Sequence, residues 1–304
     1  MMREILWQRK GRTHLCRIYL LIGTKRKGGM KLEVIYPQEA SPTWDVLKLT
    51  TTRQCWMGCH FCDFSNFTPM KPAHPIAPSL PIPVAEKALK TLEVKVDLVK
   101  VRGGLTFREP FEYFRTLVHR VSQHHSTIQV YSPVELHQWH RMEQRPIRDL
   151  LAELRWAGAT GIGPGGGESL VQAWRDRLSP NRLSANAWID IAQLGWDIGL
   201  PPTAMVLAGD WLSTDDYREH LSRLADFRWG TIEMKLFRAS DAHPELESSH
   251  LLKILTLIEM TRSYLGEIPL VISDPRGELS DDAKILMTQA GCDAFYRTVA
   301  EVAP

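Results

Sequence analysis

The stretch Val46-Leu-Lys-Leu-Thr-Thr-Thr-Arg-Gln-Cys55-Trp-Met-Gly-Cys59-His-Phe-Cys62 sets the reading of the whole chain. Its first seven residues, Val46–Thr52, are rich in apolar and β-branched side chains and read as a strand. The strand leads directly into three cysteines separated by gaps of three and then two residues. Three thiolates at that spacing can ligate three irons of a cubane cluster and leave the fourth iron without a protein ligand. The competing metal, zinc, prefers four ligands, commonly as two paired-cysteine sets. His60 is the residue that would complete such a set, at the cost of straining a tight loop.

Outward from this stretch, β-rich runs alternate with helical patterns, as expected of βαβ units around a parallel sheet. Further strands are expected at Leu98–Val101, Thr127–Tyr131, Thr160–Gly163, Thr203–Ala208, Thr231–Phe237, Pro269–Ser273 and Asp293–Thr298. Between them fall a helix with Val84, Ala88 and Leu92 on one stripe, and another carrying Phe114, Leu117, Val118 and Val121. Ile147–Trp156 follows, then Ala185–Ile198 with Ser184 as its N-cap, Thr214–Leu224, Leu251–Leu265 and Asp281–Ala290. Eight strands alternating with helices predict an α/β fold of the TIM-type (β/α) barrel, with the last helix missing or replaced and an open barrel as the variant. Residues 1–44 read as an N-terminal extension and 45–304 as the barrel domain. Lys25-Arg-Lys-Gly-Gly29 directly before Met30 suggests Met30 as the native start.

In such barrels chemistry collects at the C-terminal ends of the strands. Glycine-rich or charged turns fall there: the cysteine loop, Gly103-Gly104, Ser132–Glu135, Gly163–Glu168, Gly209-Asp210 and Ser273-Asp274.

Composition narrows the class. The 304 residues are 44% hydrophobic and 24% charged, ordinary for a well-packed globule. A net charge of only +2 with dispersed basic residues gives no electrostatic case for a nucleic-acid partner. Five cysteines, three within eight residues, do not form a disulfide framework and point to a metal site in a reducing compartment. No apolar run approaches the roughly 18–20 residues of a membrane span. The expectation is a cytoplasmic protein with no membrane partner.

Several motifs accompany the cysteines in order: Arg102-Gly-Gly-Leu105, Tyr131-Ser-Pro-Val-Glu135, Ala157-Gly-Ala-Thr160, Gly163-Pro-Gly-Gly-Gly-Glu168 and Leu178-Ser-Pro180. With Phe61 just before the last cysteine, the loop resembles the signature of the radical S-adenosylmethionine (SAM) superfamily. Over residues 45–227 the set resembles the group of aminofutalosine synthase, dehypoxanthine futalosine cyclase and the deazaflavin (FO) synthase subunits. The resemblance implies a single [4Fe–4S] cluster on Cys55, Cys59 and Cys62, with SAM on its open iron as the source of a 5′-deoxyadenosyl radical. It implies a small aromatic or nucleoside-like substrate of cofactor or quinone biosynthesis, and an electron donor such as flavodoxin or ferredoxin. Carried over position by position, it places Phe61 by the adenine, Gly103 and Gly104 on the SAM amino group, and Glu168 on the amino or ribose groups. Arg182 is the candidate for the SAM carboxylate, and Glu135 faces the substrate or the ribose.

On strand six Glu233 and Lys235 share one face, and charges on an inner barrel face are costly unless they meet a substrate or each other. They join Glu135 as candidate catalytic residues. His137 and His140 read as a solvated helix edge, Cys16 and Cys292 as packing residues, and Trp156, Trp174, Trp188 and Trp196 as core or interhelix contacts. After residue 227 the resemblance fades: Ile272-Ser-Asp-Pro-Arg-Gly277 and Gly291-Cys-Asp293 stand where the group usually carries a longer glycine-rich turn. Phe107-Arg-Glu-Pro110 also departs from the usual short turn. Two other readings therefore stay open: a radical SAM lyase or carbon–carbon bond-forming enzyme of another pathway, and a non-catalytic metal-binding protein.

Overall fold

The computed structural model describes residues 2–5, 18–21, 34–35, 42–59, 62, 79–209, 212–236, 247–274 and 277–304. Phe61, His60, Cys16, Met30 and Asp210 lie outside these residues. Three short strands, β1 (Met2–Ile5), β2 (Ile18–Leu21) and β3 (Val34–Ile35), pair antiparallel as a small separate sheet. The main sheet holds β4 (Thr43–Thr50), β5 (Leu98–Arg102), β6 (Ile128–Val130), β7 (Gly161–Ile162), β8 (Thr203–Ala208), β9 (Thr231–Leu236), β10 (Leu270–Ser273) and β11 (Ala294–Val302). Around them lie α1 (Ile82–Thr91), α2 (Phe111–Ser122), α3 (Pro133–Glu143), α4 (Ile147–Trp156), α5 (Gln172–Leu178), α6 (Ala185–Ile198), α7 (Thr214–Ala225), α8 (Glu247–Leu265) and α9 (Asp281–Ala290).

Seven parallel ladders run in the order β7-β6-β5-β4-β11-β10-β9-β8. The eighth seam is a single bridge from Ile162 to Pro202, with the Ile162 amide donating to Pro201 O at 3.1 Å. Pro201 and Pro202 have no amide hydrogens to add to this seam. The barrel is therefore nearly closed. β11 is longer than the sequence suggests: past an irregularity between Thr298 and Ala300 it follows β4 as far as Leu49. Among the described residues no helix follows it.

Side-chain alternation sorts the strands into two faces. Leu47, Leu49, Val99, Val101, Ile128 and Val130 join α2, α3 and α4 in one core. Val206, Ile232, Met234, Leu270, Ile272 and Phe295 join α6, α7 and α8 in another. On the opposite parity, Val46, Leu98, Val271, Ala294 and Tyr296 pack together as an apolar floor inside the barrel. Burial of these side chains at roughly 1.5–3 kcal/mol each is the main term holding the sheet to its helices.

Three details differ from expectation. The buried stripe of α1 is Ile82, Ala85 and Leu89, while Val84 is 46% exposed; the helix starts at Ile82, and these positions recur at three and four residues on the face packed against α2. Trp156, at the end of α4, makes the interhelix contact expected of it by stacking on His119 of α2, but it is 75% exposed. Finally, His137 and His140, read as a solvated helix edge, are half-buried on α3, which is started by Pro133 and held by buried Leu136 and Trp139.

Candidate active site at the C-terminal face of the barrel

β4 delivers the cysteine loop to the C-terminal rim, and backbone bonds tie it to the turn after β5. The Thr51 amide donates to Arg102 O at 2.8 Å, the Gly104 amide to Thr52 O at 2.8 Å, and the Trp56 amide to Leu105 O at 3.2 Å. The two glycines are required by this contact. A Cβ on Gly104 would lie 1.9 Å from Gln54 O, and one on Gly103 would lie 2.1 Å from Thr51 Oγ1. Within the loop, Gly58 takes φ +68°. Cys55, Met57, Cys59 and Leu105 form a buried cluster with Trp56, Cys62 and Val134 against it. None of the three cysteines is in a disulfide, and the Cys62 amide donates to Cys59 O at 3.1 Å. Burial pushes the Cys55 thiol up to about 11. Among the described residues no three Cys, His, Asp or Glu side chains converge as a ready-made metal site.

The loop is clamped from α3. Trp56 Nε1 donates to Gln138 Oε1 at 2.7 Å, and Gln138 Nε2 donates to Thr106 O, so one side chain holds both loops. Phe107, 66% exposed, stacks on Trp56 with ring centroids 5.6 Å apart. Thus the segment that departs from the family pattern packs directly on the cysteine loop. Glu135, in the first turn of α3, is buried and accepts hydrogen bonds from Ser132 and from the Gly103 amide; burial pushes its carboxyl up to about 7.

The turn after β7 brings Glu168 to the same place. Arg182 holds Glu168 through both guanidinium NH2 groups and also donates to the Cys59 side chain. Burial opposes the Glu168 charge, but Arg182 wins and keeps the carboxyl below its ordinary range. Asn181 Nδ2 donates to Met57 O at 3.3 Å from the same segment. The turn is anchored by residues that sequence reasoning missed. Arg175, fully buried, donates to Gly166 O at 2.7 Å, Ser169 O at 2.9 Å and Leu183 O at 3.1 Å. His220 accepts from the Leu170 amide at 3.0 Å and lies 2.8 Å from Met205 O, a tautomer with hydrogen on Nε2; burial holds it down at about 4. Neither stands out by sequence, since each sits among other charged residues on a helix.

Below the rim the lumen is charged. Lys100 Nζ meets Glu233 Oε2 at 2.7 Å, and β5 and β9 lie on opposite sides of the barrel, so this pair spans it. Lys100 also lies 4.0 Å from the Tyr296 ring centroid. Glu301 accepts from Thr50 Oγ1 at 2.8 Å and meets Arg53 and Arg102, each at 3.4 Å. Lys48 and Lys235 stand on the same inner parity. Of the expected site residues, Cys55, Cys59, Cys62, Gly103, Gly104, Glu135, Glu168 and Arg182 gather at the rim, and Glu233 and Lys235 lie in the lumen below. Phe61 falls outside the described residues. Lys48 and Lys100 were not picked out, although a lysine inside each apolar run, Val46-Leu-Lys-Leu and Leu98-Val-Lys-Val, is the signal that marks them.

The main sheet is thus a nearly closed, eight-stranded parallel (β/α) barrel with a cysteine loop at the end of its first strand. The comparisons narrow this. No protein-family model matches the chain. It is 29% identical over 146 residues to 5-amino-6-(D-ribitylamino)uracil–L-tyrosine 4-hydroxyphenyl transferase of Methanopyrus kandleri, covering 47% of this chain and 40% of that one. It is 23% identical over 222 residues to aminodeoxyfutalosine synthase of Thermus thermophilus, covering 72% and 56%. It is 24% identical over 226 residues to cyclic dehypoxanthine futalosine synthase of Halalkalibacterium halodurans, covering 72% and 61%. The chain is homologous, at low identity and over part of its length, to these three enzymes. The matches span about 40% to 61% of those relatives' own lengths. Among solved structures, methylornithine synthase superposes with a TM-score of 0.64 at 15% identity over 84% of this chain and 72% of that one, a likeness of fold. No described helix is long and apolar enough to cross a membrane.

Proposed function

We propose that this chain is a radical SAM enzyme acting on a small aromatic or nucleoside-like substrate in cofactor or quinone biosynthesis. The observation that carries the reading is the convergence at one rim of the cysteine loop, the Gly103-Gly104 turn and the Glu168–Arg182 pair, with Arg182 bonded to Cys59. The donor chemistry fits a [4Fe–4S] cluster, three thiols in one loop at gaps of three and two residues, while among the described residues they do not converge as a ready-made site. Cys55, Cys59 and Cys62 would hold it. Bound there with SAM, such a cluster supplies one electron for cleavage of the sulfonium and so a 5′-deoxyadenosyl radical. Gly103 and Gly104 would present backbone groups to SAM, with Phe61, Glu168 and Arg182 around them. Arg182 keeps Glu168 ionised, ready to accept hydrogen bonds from an ammonium or a hydroxyl. Glu135 braces the glycine turn through the Gly103 amide, and Glu233 and Lys235 line the lumen where a substrate would lie. A flavodoxin or ferredoxin is the expected electron donor, and the expected compartment is the cytoplasm.

Anaerobic reconstitution with iron and sulfide, then incubation with SAM and dithionite, tests the reading. It requires 5′-deoxyadenosine or an adduct containing it; a fully loaded chain that yields neither contradicts it. A second reading keeps the radical chemistry but moves it to another pathway as a lyase or bond-forming step. It is favoured by Phe107, which packs on Trp56 from a segment unlike the family's, and by matches that leave part of the chain uncovered. Product analysis with the futalosine- and deazaflavin-type substrates separates the two.

A further inference from the structure

Side chains along β11 alternate regularly as far as Thr298 and then break step. Ala294 and Tyr296 belong to the apolar floor inside the barrel, while Phe295 packs outward with the helices. Unbroken alternation would turn Ala300 and Val302 into the lumen and Glu301 out of it. The irregularity between Thr298 and Ala300 reverses this. Glu301 falls opposite Lys48, on the inner parity of Val46 and Thr50, and Ala300 and Val302 pack on the outer core. A bulge of this kind at a barrel rim re-aims a side chain.

The re-aimed carboxylate joins the two sides of one seam. Glu301 Oε1 accepts from Thr50 Oγ1 at 2.8 Å, at the end of β4, and from Arg53 at 3.4 Å, at the entry to the cysteine loop. The same oxygen accepts from Arg102 at 3.4 Å, directly before Gly103. Burial opposes the Glu301 charge, but Thr50, Arg102, Lys48 and Arg53 prevail and keep the carboxyl below its ordinary range. Arg53 and Arg102 meet on one oxygen atom, so without its charge they would repel each other and push the loop away from the glycine turn. The backbone bonds from Thr51 to Arg102 O and from Gly104 to Thr52 O would then hold the seam against that repulsion.

We propose that Glu301 is a positioning residue: from a third strand it sets the cysteine loop against the Gly103-Gly104 turn, and SAM affinity depends on it. This rests on the reading of the rim as a SAM site, and it assigns a role to the part of the chain where the motifs of that reading have run out. The ion pairs are partly exposed, with side chains 30% (Glu301), 55% (Arg53) and 32% (Arg102) accessible, so they add little to global stability. The effect of losing them should therefore appear in binding rather than in unfolding.

Equilibrium dialysis of labelled SAM against the full chain, reconstituted anaerobically and kept without reductant so that SAM is not cleaved, tests the assignment. Iron content and the thermal midpoint are measured on the same samples. Glu301→Gln should weaken SAM by at least about tenfold, with iron content and midpoint nearly unchanged. Arg53→Gln alone should stay within about threefold of the wild type, since Arg102 keeps its partner. The double variant Glu301→Gln/Arg53→Gln removes one of the two repelling charges and should recover at least about threefold of the lost affinity. Wild-type affinity in Glu301→Gln, a loss that the double variant does not recover, or a loss that only follows iron or the fold would overturn the assignment. A wild-type chain that carries four irons and binds no SAM contradicts the reading of the rim and this inference with it. A wild-type chain and Glu301→Gln that bind SAM equally contradict this inference alone.

Discussion

Replacing Glu233 with glutamine strands the Lys100 ammonium inside the barrel, and the neighbours decide how much that costs. The pair is 2.7 Å apart, with side chains 10% and 5% exposed. Removing one partner of such a buried pair typically costs about 3–5 kcal/mol, because the other charge is left uncompensated. The two halves of this pair are not equivalent. Without Glu233, Lys100 faces Lys235 and Arg102, both of its own sign, with the Tyr296 ring as its remaining favourable contact. Without Lys100, Glu233 still faces the ammoniums of Lys235 and Lys48. Glu233→Gln should therefore fall at the upper end, about 4–5 kcal/mol, and Lys100→Met well below it, about 1–2 kcal/mol. Equilibrium urea unfolding followed by tryptophan fluorescence and circular dichroism measures both at neutral pH. The sign with pH is also set: although burial raises the Glu233 carboxyl, its lysine neighbours bring it net below its ordinary 4.5. Its contribution is thus present above that value and is lost on acidification, so the Glu233→Gln deficit should shrink in acid. A Lys100→Met variant as unstable as Glu233→Gln would refute the ordering, as would two losses both under about 1 kcal/mol.

Other outcomes follow from single contacts. Glu135 is raised from 4.5 to about 7, so the folded state binds the extra proton and its stability falls as pH rises through that window; Glu135→Gln should remove the slope and gain up to about 3 kcal/mol at pH 8, measured by unfolding across pH. His220 is lowered from 6.5 to about 4, so the unfolded state takes the proton first and stability falls as pH drops between those values; His220→Gln should flatten the acid limb of the same profile. Gly104→Ala drives a Cβ into the Gln54 backbone and should abolish iron retention, whereas Gly103→Ala meets a Thr51 side chain that can turn away and should retain more, by iron assay after reconstitution.

The barrel was legible because its strands carry the signal locally. Thr203–Ala208 is apolar after its first residue and matched to the residue, and Ser184 caps α6 as its side chain suggests. The start of α3 was hidden because Ser132-Pro133 reads as a turn until Leu136 and Trp139 are known to be buried together. The gathering of residues at the rim was legible wherever it depends on a short motif, as with the cysteines, the paired glycines and Glu168. It was not legible where a role depends on a distant partner. Nothing around Gln138 announces that it joins two loops, and nothing around Arg175 announces three carbonyls. Glu233 was singled out for its parity alone; that its partner is Lys100, 133 residues away, depends on barrel closure.

Electron paramagnetic resonance of the reduced, reconstituted chain before and after SAM addition bears most directly on the cluster. Were Cys55, Cys59 and Cys62 to hold the cluster and leave one iron without a protein ligand, SAM should change the signal of the reduced cluster, and Cys59→Ala should leave no four-iron signal to change. A full four-iron signal that SAM leaves unmoved, or one that survives Cys59→Ala, would contradict the assignment.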